Sequence, residues 1–178
     1  MIKKFEKGFT LIELLIVIAL LGALAIGLIG AIDPFEQLKK GTDTGTRNNV
    51  SEVHGAIIRF FALKSWMPWC ADAACAVTQP SMTALNAAPM GTGVGTALDN
   101  MINSGELKAN FTTVSAGDLA KVFVTGDATT ATVAVCYKPI AKSFQADPNT
   151  KYNQDGTSAA AGTCKSAGGG TDCYWCVQ

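Results

Sequence analysis

The stretch Lys7-Gly8-Phe9-Thr10-Leu11-Ile12-Glu13 places a carboxylate at the start of an apolar run of membrane length. From Leu14 to Ile32 there are 19 residues without a charged or strongly polar side chain. At about 1.5 Å per residue that is a helix of roughly 29 Å, the thickness of a bilayer core. Lys3, Lys4 and Lys7 precede it, which predicts a cytoplasmic N-terminus by the positive-inside rule. A carboxylate in such a run costs about 2.5–3.5 kcal/mol at the bilayer centre and less near its edge. Glu13 is therefore a functional candidate in need of a partner.

The pattern resembles the class III signal and N-terminal helix of type IV pilins and of the related pseudopilins of type II secretion. In that family a short basic leader ends in Gly and is cut before a Phe. The new N-terminus is methylated, and the fifth mature residue is Glu. The resemblance implies a leader from Met1 to Gly8, cleavage between Gly8 and Phe9, methylation of Phe9, and a role for Phe9 and Glu13 in assembly. It is strongest over residues 1–65. Two other readings leave Glu13 unexplained. One is a secretory signal peptide cut after Ala23-Leu24-Ala25, so that the chain starts at Ile26; the apolar run continues past that point. The other is a single-pass anchor for an unrelated extracellular enzyme or adhesin.

The chain has room for one domain beyond the anchor. Expected boundaries are 1–8 for the leader, 9–32 for the transmembrane and assembly half of a long helix, 33–66 for its amphipathic half, and 67–178 for an extracytoplasmic head. Charged residues make up 16 % of the chain, and basic and acidic groups balance at 14 each. No basic stripe exists to neutralise phosphates, so no specific nucleic acid is indicated.

Cys70, Cys75, Cys136, Cys164, Cys173 and Cys176 all follow the apolar segment. An even count in a translocated domain predicts a disulfide framework whose connectivity the spacing does not decide. Three disulfides are expected, with Cys70–Cys75 a local pair and the other four tying the region after Tyr137 to the final strand. A redox reading of Cys173-Tyr-Trp-Cys176 lacks the strand-to-helix context, and a zinc reading lacks further ligands, since His54 is the one histidine.

Beyond Asp33-Pro34, Leu38, Val50, Val53, Ile57, Phe60 and Phe61 recur at helical spacing. One long helix from about Phe9 to Lys64 is expected, bent or loosened at Pro34 and weakest at Gly41-Thr-Asp-Thr-Gly45, with two shorter helices as the alternative. The resemblance implies that the region near the Pro can unwind during assembly. Pro68 closes the helix, and residues 70–95 read as a long connection. Its Gly91-Thr-Gly-Val-Gly95 lacks phosphate-loop spacing. Thr96 is placed to cap a short helix over 97–103, stopped by Ser104-Gly105. Leu119–Thr125 and Thr132–Tyr137 predict a hairpin turning through Gly126–Thr130, and Asp172–Val177 a third strand after a long loop over 139–171. Asp147, Asn149, Asn153 and Asp155 place oxygens at alternate positions, and some pseudopilins bind calcium in this region. Lys151 in the middle and the missing bidentate Glu favour a plain surface loop, so no metal is assigned.

The expectation is an α+β, pilin-like fold: a long N-terminal helix, transmembrane in its first half, packed on a small antiparallel sheet with a disulfide-bonded C-terminal loop. The expected function is a structural subunit of a type IV pilus serving adhesion, motility or surface attachment. The alternative within the class is a pseudopilin of a type II secretion or DNA-uptake machine. No catalytic constellation and no cofactor is expected. The resemblance implies as partners other copies of the chain, a prepilin peptidase and methyltransferase, the inner membrane before assembly, and a pilus assembly platform. The final location would be a cell-surface filament.

Overall fold

The computed structural model describes residues 8–70, 72, 74, 78–91, 93, 95–127, 130–153 and 155–178. The chain divides into two compact units, Met1–Leu38 and Lys39–Gln178. Together they contain a long apolar N-terminal helix, a five-stranded antiparallel sheet and C-terminal disulfides, an α+β, pilin-like architecture.

Helix α1 spans Leu11–Ala31 and buries none of its side chains. It is long and apolar enough to cross a membrane. The expected continuous helix is interrupted after it: Ile32 has extended backbone, and α2 begins afresh at Pro34 and runs to Lys64. Pro34 thus opens the second helix. Asp33 Oδ1 accepts from the amides of Phe35 and Glu36, at 3.1 and 3.2 Å. An aspartate N-cap followed by proline at the first helical position needs no amide from the proline and fixes its φ in advance.

The Gly41–Gly45 stretch, expected to be the weak point, is uninterrupted helix. Asp43 is 2 % exposed. Its carboxylate accepts from the amides of Ile140, at 3.0 and 3.2 Å, and Ala141, at 2.7 Å. This tertiary anchor outweighs the helix propensity lost to two glycines, about 1 kcal/mol each. Farther along, Val50, Val53, Ile57 and Phe60 bury the stripe that their spacing predicts.

The strand order is β1-β2-β3-β5-β4, with all neighbours antiparallel. β2 (Val122–Asp127) and β3 (Thr132–Tyr137) form the expected hairpin. β2 starts later than expected because residues 118–122 form a tight turn, in which the Lys121 and Val122 amides both donate to the Asp118 carbonyl. It also runs on through Gly126, where the chain passes so close to its neighbours that a Cβ would meet the Thr132 carbonyl at 2.7 Å and the Trp69 ring at 3.1 Å. β5 is Tyr174–Val177, shorter than expected.

Two strands lie in segments that read as loops. β1 (Thr78–Ala84) holds Pro80 and takes an outer position in the sheet, where a missing amide is tolerated. β4 (Thr150–Tyr152) pairs with β5 from the other edge. The segment 139–171 also contains a short helix, α5 (Lys142–Gln145), and a 3₁₀ turn at Lys165–Ala167. Between β1 and β2 lie α3 (Ala97–Asn103), capped by Thr96 as expected, and α4 (Phe111–Val114).

Alternation along β2 and β3 divides the sheet into two faces. Val122, Val124, Val133, Val135 and Tyr137 join the α2 stripe, Leu98 and Met101 in the main core. Ala134, Cys136 and Cys176 form a smaller cluster on the other face, with Phe123, Tyr152 and Tyr174 against it.

Candidate processing and assembly site

The residues around the Gly8–Phe9 bond follow from where α1 can begin. Residues 8–10 are not helical, and α1 starts at Leu11. Thr10 caps it: its hydroxyl oxygen accepts from the Glu13 amide at 3.3 Å. Glu13 reciprocates, its Oε2 accepting from the Thr10 amide at 2.8 Å and from the Thr10 hydroxyl at 2.7 Å. This capping box satisfies two donors that a helix start otherwise leaves unpaired.

The box has two consequences for chemistry. It holds the helix start two residues downstream of the Gly8–Phe9 bond, leaving that bond in exposed, non-helical chain. A peptidase needs such geometry to reach both faces of a peptide, and a Cβ at Gly8 would have no neighbour within 4 Å. The box also directs the Glu13 carboxylate back toward the N-terminal end of the helix, the side on which Phe9 lies. Thr10 was legible as a partner through the Thr-x-x-Glu spacing before an apolar run, a signal that the Gly-Phe junction overshadowed.

Residues 3–29 match the prokaryotic N-terminal methylation motif. This is the class III signal of type IV pilins and pseudopilins, and it supports that class for the chain. The motif covers Gly8, Phe9, Thr10 and Glu13, together with most of α1. Its basic leader residues, Lys3, Lys4 and Lys7, lie outside the described residues. Such a motif implies processing by a peptidase and assembly into pilus-like polymers. No curated protein sequence and no solved structure matches the chain.

The other residues singled out by sequence lie elsewhere. Cys136 pairs with Cys176 across directly opposed positions of β3 and β5, with Cα atoms 4.1 Å apart. Cys164 pairs with Cys173. Cys173 and Cys176 therefore belong to different disulfides, which rules out a redox pair between them. Cys136 lies within β3, so its bond joins two paired strands rather than a loop to a strand. Cys70 is disulfide-bonded, and Cys75, its expected partner, lies outside the described residues.

In the 147–156 segment the carboxylates turn to separate partners. Asp147 pairs with Arg47 at 3.1 Å, and Asp155 Oδ1 accepts from the Thr157 amide and hydroxyl. Among the described residues no group of three or more metal-ligating side chains converges.

A second set of residues, which sequence reasoning missed, ties α2 to the C-terminal region. The Arg47 guanidinium lies over the Trp175 ring at 4.2 Å and the Phe144 ring at 5.6 Å. Beside it, Tyr137 is buried, and among the described residues its hydroxyl has no hydrogen-bond partner. Burial pushes that phenol well above its usual range, and the Asp43 charge adds to the shift. No local spacing announces this cluster, because its members come from α2, β3, α5 and β5.

Proposed function

We propose that this chain is a structural subunit of a type IV pilus, cut between Gly8 and Phe9, methylated at Phe9 and polymerised through α1. The observation that carries this reading is a helix of 21 residues with no buried side chain, begun by the Thr10–Glu13 box immediately after the processing junction. Before assembly the inner membrane covers that apolar surface, and in a filament the α1 helices of other copies cover it. The reading assigns no catalytic role to the head.

Glu13 then serves assembly. Cleavage converts the Phe9 amide into an α-amine that is protonated at neutral pH. In a helix bundle both charges are poorly solvated. Opposite charges about 4 Å apart attract by about 4 kcal/mol at an effective dielectric of 20, before desolvation is subtracted. A pair formed between neighbouring copies rewards one axial register, whereas a pair within one helix rewards none. A prepilin peptidase, a methyltransferase and an assembly platform are the partners this reading requires, and its end point is a cell-surface filament.

Electron microscopy of wild-type and deletion cells, with immunoblots of sheared material, tests the proposal. Filaments that contain the chain and vanish on deletion support it. Short assemblies confined to the cell envelope would instead favour a pseudopilin, and a monomer found in membranes alone would favour an anchored module.

A further inference from the structure

The C-terminal end of α2, the turn that follows it and α3 line a cleft of about 540 Å³, large enough for a small ligand. Its position follows from how α2 stops. Ser65 leaves the helix with φ 63°, the left-handed conformation that usually falls to glycine, and its amide donates to the Phe61 carbonyl at 2.7 Å. After that reversal Trp66 and Trp69 line the same cleft as Phe60 and Lys64 of α2. Asn100 and Asn103 enter it from α3, three positions apart and so on one helix face. The turn and α3 are fastened together, because the Asn100 amide nitrogen donates to the Pro68 carbonyl at 2.8 Å. A cleft already held in shape lowers the ordering cost of binding.

Exposure divides the lining. Phe60 and Trp69 are buried, Trp66 is half-buried, and Lys64 and Asn103 are exposed. Among the described residues neither the Lys64 nor the Asn103 side chain has a hydrogen bond or ion pair within the chain. The chemistry of the lining narrows the ligand. Among its described residues there is no carboxylate to hold an amine, and Lys64 is the one charged group. A phosphate would find neither an arginine fork nor a second cation there. An alkyl chain would bury the amide and ammonium groups without partners. A polyhydroxylated ring meets both halves: aromatic faces attract its apolar C–H face, and an asparagine amide offers a donor and an acceptor to neighbouring hydroxyls.

We propose that this cleft binds a pyranose sugar, with the C–H face of the ring against the Trp66 indole and its hydroxyls paired with the Asn103 amide and the Lys64 ammonium. The cleft lies wholly within the unit Lys39–Gln178, so the proposal does not rest on the reading of the chain as a filament subunit.

The test uses the full chain in a detergent without a sugar headgroup. Methyl β-D-glucopyranoside, methyl β-D-galactopyranoside and methyl β-D-N-acetylglucosaminide are titrated in, followed by Trp fluorescence and saturation-transfer NMR. At least one should bind saturably with a Kd of about 1 mM, the affinity usual for a ligand of that size. Asn103→Ala and Lys64→Ala alter exposed side chains and should each weaken binding about fivefold, as expected for one lost hydrogen bond. Trp66→Ala should weaken it about tenfold, and Trp66→Phe, which keeps an aromatic face, should restore part of the loss. No saturable response to any of the three sugars overturns the site. So does binding that Asn103→Ala and Lys64→Ala both leave unchanged, a result that remains decisive where Trp66→Ala fails to fold.

Discussion

Replacing Asp43 by alanine removes the acceptor that holds residues 140 and 141 against α2. The Ala141 amide is fully buried and loses a 2.7 Å bond to a carboxylate, while the Ile140 amide is partly exposed and regains water. A buried donor left unsatisfied costs about 1–3 kcal/mol, and bonds to charged groups lie toward the upper end. Alanine recovers about 0.5 kcal/mol of helix propensity over aspartate. The net expected loss is about 1.5–2.5 kcal/mol. Asp43→Asn keeps one carbonyl acceptor and should lose about half as much. Denaturant unfolding of the detergent-solubilised chain, disulfides intact and followed by Trp fluorescence, reads the global term. Hydrogen exchange at the amides of residues 140 and 141 reads the local one. A loss under about 0.5 kcal/mol, or unchanged protection at both amides, would refute the anchor.

Burial holds the His54 imidazole below its ordinary value, so the unfolded chain binds the proton more readily. Stability should therefore fall as pH drops below about 6.5, down to the folded-state value; His54→Gln should flatten thermal-melt profiles below about pH 6.5. Thiol titration of denatured, unreduced protein should find no free cysteine. Loop lengths of 40 and 9 residues predict that replacing Cys136 and Cys176 by alanine costs about 4 kcal/mol against about 2.5 kcal/mol for Cys164 and Cys173, measured by denaturant unfolding. Equal losses would show that loop entropy does not set the ranking. Glu13→Gln and Glu13→Ala should both be inserted and cleaved yet assemble poorly, scored by immunoblot of sheared filaments. Assembly retained by Gln alone would assign Glu13 to capping the helix instead of pairing with the Phe9 amine.

Where structure follows from local pattern, the sequence was readable. The apolar stripe of α2, the Thr96 cap and the β-branched run of β3 lie where periodicity and capping chemistry place them. Proline signals both a kink and a helix start, and at Pro34 the preceding Asp33 cap marks the start. β1 was obscured by Pro80, and β4 owes its place to pairing with β5 rather than to its own three residues. The Gly41–Gly45 helix is likewise a tertiary effect, fixed by amides about 100 positions away in sequence. The N-terminal methylation motif was legible because its signal is contiguous.

The central claim is that this chain is cut after Gly8 and then polymerised. Intact-mass analysis, with N-terminal sequencing, of the protein in sheared surface filaments tests both parts at once. The account predicts a chain beginning at N-methylated Phe9 with all its cysteines oxidised. A chain beginning at Ile26, or an uncut chain found in membranes and never in filaments, would contradict it.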